Sequence, residues 1–137
     1  MVIPEGNLTP AQYEILQVIW GGDDDGATVA EIWREISKLR NVGRTTILNL
    51  VDRLEKRGWL TRHRAEGVYR YRVTLDREKT TQALASEFVD DFFSGKASDL
   101  VMTLLGNRSI KKDEVERLRK LIDKASQEGK RRKEIVP

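Results

Sequence analysis

The chain has 137 residues, enough for one ordinary domain or for a small domain with a helical appendage, and too few for a multi-domain enzyme. Hydrophobic residues make up 39% and charged residues 34% of the sequence, which is typical of a folded protein with a highly charged surface. No apolar run approaches the roughly 18 residues that span a bilayer, so we expect a cytoplasmic protein with no membrane segment.

The sequence contains no cysteine and one histidine, His63, so it has no thiolate ligand and no second histidine to share a metal with His63. We interpret His63 as a structural or surface residue. Three consecutive aspartates at positions 23–25 lack the spacing of a converging cation site, and we interpret them as a solvated turn. The sequence also lacks a nucleophile–base pair and a phosphate-binding loop, so we predict no cofactor and no enzymatic activity.

Positive charge is concentrated in one stretch of the chain. Between Arg40 and Arg72 there are nine basic residues and three acidic ones, a net charge of +6, whereas the whole chain carries +3. Such a concentration favours a polyanionic partner for this stretch.

Two capped helices open the chain. Thr9 followed by Pro10 and Gln12 has the pattern of a capping box and predicts a helix over residues 10–20. Thr28 and Glu31 repeat the box and predict a second helix over residues 29–39, in which Leu39 belongs to the core-facing stripe.

A third helix follows Gly43 and ends at Gly58. Its apolar residues have the i, i+3, i+4, i+7 spacing of a core-facing helix, and they are Ile47, Leu50, Val51 and Leu54. The period then changes to two, which predicts a hairpin with strands at residues 59–64 and 68–73. We expect Tyr69, Tyr71 and Val73 to face the helices, and Arg70 and Arg72 to face outward.

Three helices and a hairpin within about 75 residues predict a winged helix-turn-helix over residues 1–76. Asp76 is the expected N-cap of a further helix, and we predict that residues 77–137 are helical and end in a frayed basic tail from Gly129. The predicted fold is therefore mainly α with a small β-hairpin wing.

The C-terminal helices carry apolar stripes that a small winged domain cannot cover, so we predict that they form a homodimer. A folded-back monomeric subdomain is the alternative. The predicted dimerisation residues are Leu84, Phe88, Phe92, Leu100, Val101, Leu104, Leu105, Val115, Leu118 and Ile122.

The third helix has a polar, basic face opposite its core stripe. An α-helix fits the major groove of B-DNA, and amide, hydroxyl and guanidinium groups match base edges and phosphates. The predicted DNA-binding residues are Arg44, Thr45, Thr46, Asn49 and Arg53 on this helix, with Arg62, Arg64 and Arg70 on the hairpin. Simple solvation of the helix face and of an exposed hairpin are the alternatives.

Several segments carry a resemblance to a known family. The run from Thr45 to Leu54, the Lys56-Arg57-Gly58-Trp59-Leu60 segment and the Tyr69-Arg70-Tyr71 strand resemble the penicillinase and methicillin-resistance repressors. The resemblance implies a winged-helix repressor that binds double-stranded operator DNA as a homodimer, controls resistance-type genes and is released when a membrane sensor-protease pathway cuts it.

The chain departs from that family in two features. The best-known members have an Asn-Phe cleavage bond where this chain has Thr103 and Leu104, and Gly43 stands where a Ser or Thr often caps the recognition helix. From residues and resemblance together we predict a sequence-specific repressor of resistance-type genes, acting as a homodimer on a palindrome. The alternative is a winged-helix interaction module whose basic face binds an acidic protein.

Overall fold

The computed structural model describes Pro4, residues 6–107 and residues 110–135, with side chains through Gly106 and from Ile110 to Gly129. Within these residues the chain forms α1 (Pro10–Gly21), α2 (Val29–Ser37), α3 (Arg44–Lys56), β1 (Leu60–Ala65), β2 (Val68–Val73), α4 (Arg77–Phe92), α5 (Ala97–Asn107) and α6 (Lys112–Ile135). The order of three helices, a hairpin and further helices is the one predicted, so the winged-helix fold class is confirmed.

Both predicted capping boxes are present. The Thr9 hydroxyl accepts a hydrogen bond from the Gln12 backbone N–H at 3.2 Å, and the Gln12 side chain accepts one from the Thr9 N–H at 3.0 Å. Thr28 and Glu31 make the same exchange at the start of α2. The prediction was wrong at the other end of α2: the helix ends at Ser37, and Leu39 lies beyond it with 77% of its surface exposed.

The core lies between the first three helices and the hairpin. Ile15, Ile36 and Ile47, one from each helix, are fully buried, and Leu60 and Tyr71 of the hairpin close the cluster. The indole of Trp33 donates to the Val42 carbonyl at 2.8 Å, and that of Trp20 donates to the Leu75 carbonyl at 3.3 Å. Trp20 and Trp33 are therefore packing residues that also connect the helices to neighbouring loops.

The hairpin pairs Arg62 with Tyr71 and Arg64 with Tyr69 in an antiparallel register. An isolated antiparallel bridge joins the loop before α2 to this two-stranded sheet, because Ala27 and Tyr71 exchange backbone hydrogen bonds at 3.0 and 2.8 Å. Gly26 precedes Ala27 with a φ of +90°, and a Cβ there would overlap the Tyr71 carbonyl.

Two expectations for the hairpin were wrong. Tyr71 is buried and Val73 packs against the core, but Tyr69 lies outside the core cluster with 42% of its surface exposed. Arg70 is not an outward-facing solvated side chain, because only 17% of its side-chain surface is exposed.

The C-terminal helices begin as predicted, with the Asp76 carboxylate accepting from the Lys79 N–H at 2.8 Å before α4. The backbone of α6 remains helical to Ile135, so the tail expected to fray from Gly129 is helical; its side chains from residue 130 lie outside the described ones. The chain divides into two compact units, Met1–Phe88 and Val89–Pro137. The division at residue 76 separates functions and stays a prediction.

Candidate nucleic-acid interface

The third helix has one anchored side and one open side. Ile47, Val51 and Leu54 are fully buried and fix α3 against α1 and α2. The five residues predicted to contact DNA all lie on its exposed surface, namely Arg44, Thr45, Thr46, Asn49 and Arg53. A rigid helix with an uncovered polar side can present these groups to a groove without rearrangement.

The first turn of α3 differs from those of the two preceding helices. Its N-cap is Gly43, which supplies no side-chain hydrogen bond, whereas Thr9 and Thr28 cap α1 and α2. The first backbone N–H groups of α3 therefore remain available to an anion, and the positive end of the helix dipole lies beside Arg44.

The charges on α3 are only partly compensated. Asp52 pairs with Lys56 at 3.0 Å, and Glu55 pairs with Arg62 of the hairpin at 3.4 Å. Within the described part of the chain, neither Arg44 nor Arg53 has an ion-pair partner. Two guanidinium groups therefore remain available at the ends of the exposed face.

The hairpin contributes a second cationic element, Arg62 and Arg64, which we call the wing pair. Both guanidinium groups lie over the ring of Tyr69. The guanidinium carbon of Arg62 lies 4.3 Å from the ring centroid, and that of Arg64 lies 5.6 Å from it. Glu55 at the end of α3 adds a charge that raises the pKa of Arg62. The wing pair is therefore tied to the same helix that carries the polar face.

Arg70, in contrast, lies on the other face of the hairpin. Its guanidinium donates to Glu31 Oε1 at 3.0 Å and to the Gly26 carbonyl at 2.8 Å, and its Nε lies 3.3 Å from Asp25 Oδ2. The structure thus places Arg70 apart from the wing pair, and we omit it from the proposed DNA surface.

The carboxylate of Asp25 organises this second face. Besides Arg70, it contacts His63 Nε2 at 3.2 Å and Arg72 Nη2 at 3.1 Å. We call these five residues, Asp25, Glu31, His63, Arg70 and Arg72, the Asp25 clasp. The interpretation of residues 23–25 as a merely solvated turn missed this contact, because the partners lie more than 35 positions away in the sequence.

Glu31 joins the clasp to the start of α2. Burial by itself raises the pKa of its carboxyl group, but hydrogen bonds from the Thr28 hydroxyl and backbone and the charge of Arg70 outweigh burial. The pKa of Glu31 is therefore lowered, and the ionised form is the one that the fold stabilises.

Sequence reasoning missed two further residues of this surface. Leu48 lies in the middle of the α3 sequence and is 48% exposed, and Tyr69 supports the two wing arginines. The signal for Leu48 was present in the sequence, because it falls outside the i, i+3, i+4, i+7 core stripe.

The predicted dimerisation residues range from half-buried to exposed. Leu84, Leu100 and Val115 are half-buried. The more exposed members, by relative surface, are Phe88 (47%), Phe92 (71%), Val101 (39%), Leu104 (40%), Leu105 (50%), Leu118 (37%) and Ile122 (60%). Two residues that were not predicted are also exposed: Met102 of α5 exposes 69% of its surface, and Leu121 of α6 exposes 54%.

An open groove of about 540 Å³ runs between α1 and α2 and is lined by Val18, Gly22, Glu31 and Arg34 among others.

No group of three metal-binding side chains occurs among the described residues. None of the helices in this part of the chain is both long and apolar enough to cross a membrane.

The three helices and the hairpin form a winged-helix fold. Solved structures of Staphylococcus aureus MepR, a transcription regulator of the multidrug efflux pump MepA, share the fold: TM-scores are 0.50 for MepR and 0.52 for a single-substitution variant, at 20% and 19% identity. Each alignment covers 88% of this chain and 79% of the other.

The chain belongs to the penicillinase repressor family, whose model matches residues 8–124. It is 27% identical to the penicillinase repressor of Staphylococcus aureus over 119 residues, 87% of this chain and 93% of that protein. Identity is 24% to the methicillin resistance regulatory protein MecI of Mammaliicoccus sciuri, covering 85% and 94%, and 25% to the Bacillus licheniformis penicillinase repressor, covering 85% and 89%. The family is one of DNA-binding repressors and not of enzymes.

Proposed function

We propose that this protein represses transcription as a homodimer on a palindromic operator, with α3 of each protomer in the major groove. The observation that carries the proposal is the exposed polar face of α3, held rigid by three fully buried residues and continued by the wing pair. Two recognition helices related by a two-fold axis read half-sites about 34 Å apart or a multiple of that.

Within this proposal the polar groups have different tasks. Asn49 can bind adenine through two hydrogen bonds, while Thr45 and Thr46 meet phosphates or thymine methyl groups. Arg44 and Arg53, which lack described ion-pair partners, pair with guanine or with the DNA backbone. Arg62 and Arg64 clamp the backbone from the wing.

The proposed dimer interface is the apolar surface of α5 and α6. Met102, Leu105, Leu121 and Ile122 each expose half or more of their surface, which is unusual for large apolar side chains on two consecutive helices. A second copy of the chain offers a matching surface, because a two-fold interface joins one patch to itself.

The names of the relatives supply the proposed target genes. These proteins are called penicillinase repressors and methicillin resistance regulatory proteins, and we extend control of resistance-type genes to this chain. Release by a sensor protease is implied only by the family resemblance, and the replacement of the Asn-Phe cleavage bond by Thr103 and Leu104 argues against that route. The bond between Thr103 and Leu104 lies inside α5, where the Thr103 hydroxyl donates to the Asp99 carbonyl at 2.8 Å, so cleavage there requires local unwinding.

A selection from random duplexes, followed by fluorescence anisotropy titrations, tests DNA recognition. We expect an enriched palindrome and a log–log salt slope of about −7 for a dimer whose four exposed arginines per protomer each neutralise one phosphate. Asn49→Ala should cost about 1–3 kcal/mol and relax base choice at one position. Gln82→Ala, which removes an exposed amide from α4, is the matched control and should leave base choice unchanged.

Sedimentation of the full chain tests dimerisation. Ile122→Glu should shift the protein toward monomer, because it places a charge in the proposed apolar interface. Lys124→Gln lowers the net charge by the same amount at an exposed neighbouring position and should remain dimeric. No enriched duplex, together with salt-sensitive binding of an acidic polypeptide, would instead support the interaction-module alternative.

A further inference from the structure

Leu48 stands out on the otherwise polar face of α3. It follows the fully buried Ile47 by one residue, which rotates it about 100° away from the core, and 48% of its surface is exposed. On the helix surface its neighbours at i−4, i−3 and i+4 are Arg44, Thr45 and Asp52, and its i+3 neighbour is the buried Val51. Leu48 is therefore a large, half-exposed apolar group at the edge of the polar face.

An apolar side chain can make few kinds of contact with base edges in the major groove. Base edges in the major groove present hydrogen-bond donors and acceptors, and the apolar group among them is the C5 methyl of thymine. A leucine can exclude water from that methyl group, but it cannot accept the hydrogen bond that the cytosine amino group donates. An apolar contact on this face therefore discriminates between pyrimidines.

We propose that Leu48 is a specificity-determining residue that selects thymine at one position of each half-site through contact with its methyl group. The inference rests on the proposed function, since it assumes that α3 lies in the major groove. It adds an apolar contact to those that Thr45 and Thr46 can make with thymine methyl groups or phosphates.

Replacing single thymines by deoxyuridine in the selected duplex tests this contact, because it removes the methyl group and keeps every Watson–Crick and major-groove hydrogen-bonding atom. For the native chain we expect binding to weaken about three- to fivefold at one thymine of each half-site, as for the loss of one buried methyl group. Substitution at the other thymines serves as the internal reference.

Three variants of the full chain complete the test. Leu48→Ala should bind the thymine and deoxyuridine duplexes equally at that position. Ala is a strong helix former, so the fold should persist, which thermal unfolding verifies. Leu48→Met, which keeps an apolar side chain of similar length, and Leu39→Ala, which removes an exposed leucine outside α3, should both retain the preference for thymine.

The outcomes separate this inference from the function on which it rests. If no duplex is enriched, the proposed function and the role of Leu48 both fail. If a duplex is enriched but the native chain tolerates deoxyuridine everywhere, or Leu48→Ala keeps the full deoxyuridine penalty, only the role of Leu48 fails.

Discussion

Replacing Arg70 and Arg64 separately by Ala distinguishes an arginine that holds the fold from one that holds DNA. Both lie on the hairpin, and both were predicted from the sequence to clamp the DNA backbone. The structure buries most of Arg70 in the Asp25 clasp and leaves Arg64 exposed beside Tyr69. We expect the first substitution to lower stability and the second to lower affinity.

The cost of Arg70→Ala follows from its three contacts. The hydrogen bond to the partly buried Gly26 carbonyl is charge-assisted and contributes about 1.5 kcal/mol. The pairs with Glu31 and Asp25 contribute about 0.5 kcal/mol each, because those carboxylates are 42% and 58% exposed. We call the N-terminal compact unit, Met1–Phe88, the head. The total of about 2–3 kcal/mol lowers the Tm of the head by roughly 10–20 °C if it unfolds as a domain of about 80 residues.

Arg64→Ala should leave the unfolding free energy within about 0.5 kcal/mol of the native value, as for other exposed surface positions. It should instead reduce the magnitude of the salt slope by about 2, one phosphate contact for each protomer of the dimer. Thermal unfolding by circular dichroism and anisotropy titrations at several salt concentrations measure the two effects on the same samples. The reasoning is refuted if Arg70→Ala keeps the native Tm while reducing the slope, or if Arg64→Ala destabilises the head as strongly as Arg70→Ala.

Three further predictions concern the head. Because the folded-state pKa of Glu31 is lowered, its contribution to stability is present above its unfolded pKa and is lost as the pH falls through the folded value. The difference in unfolding free energy between the native chain and Glu31→Gln, from urea titrations, should therefore shrink from pH 7 to pH 3, and a constant difference would contradict this. Tyr69→Leu should weaken binding of the selected duplex about two- to fivefold by removing the ring beneath the wing arginines, whereas Tyr69→Phe should not, as anisotropy would show. Ile36→Ala should lower the urea-derived stability by about 2–5 kcal/mol, since Ile36 is fully buried, and a smaller loss would mean that the site collapses around the cavity.

Local signals in the sequence were sufficient for the head's secondary structure. The Thr9 and Thr28 capping boxes act over three residues, and the apolar stripe of α3 repeats with the helix itself. The end of α2 was less predictable. Leu39 continues the helical spacing after Ile36, yet no Gly or Pro marks where the helix stops, and the chain leaves the helix at Ser37.

The candidate site was predictable in part. The residues on α3 follow from the face opposite the core stripe, and all five are exposed as expected. Alternation along β2 predicted that Tyr69 and Tyr71 share a face of the hairpin. Alternation does not reveal which of the two rings is covered by the core. For that reason the burial of Tyr71 and the exposure of Tyr69 became apparent only in the packed structure.

The sequence by itself determined the family, the order of helices and strands and the polar side of the recognition helix, because these depend on residue spacing within single elements. The tertiary structure decided which hairpin arginines remain available to DNA. Arg70 meets Glu31 and Gly26 across 39 and 44 positions of sequence, and Arg72 meets Asp25 across 47. Such contacts depend on how the loop before α2 folds over the hairpin, and no periodicity within either segment encodes that path.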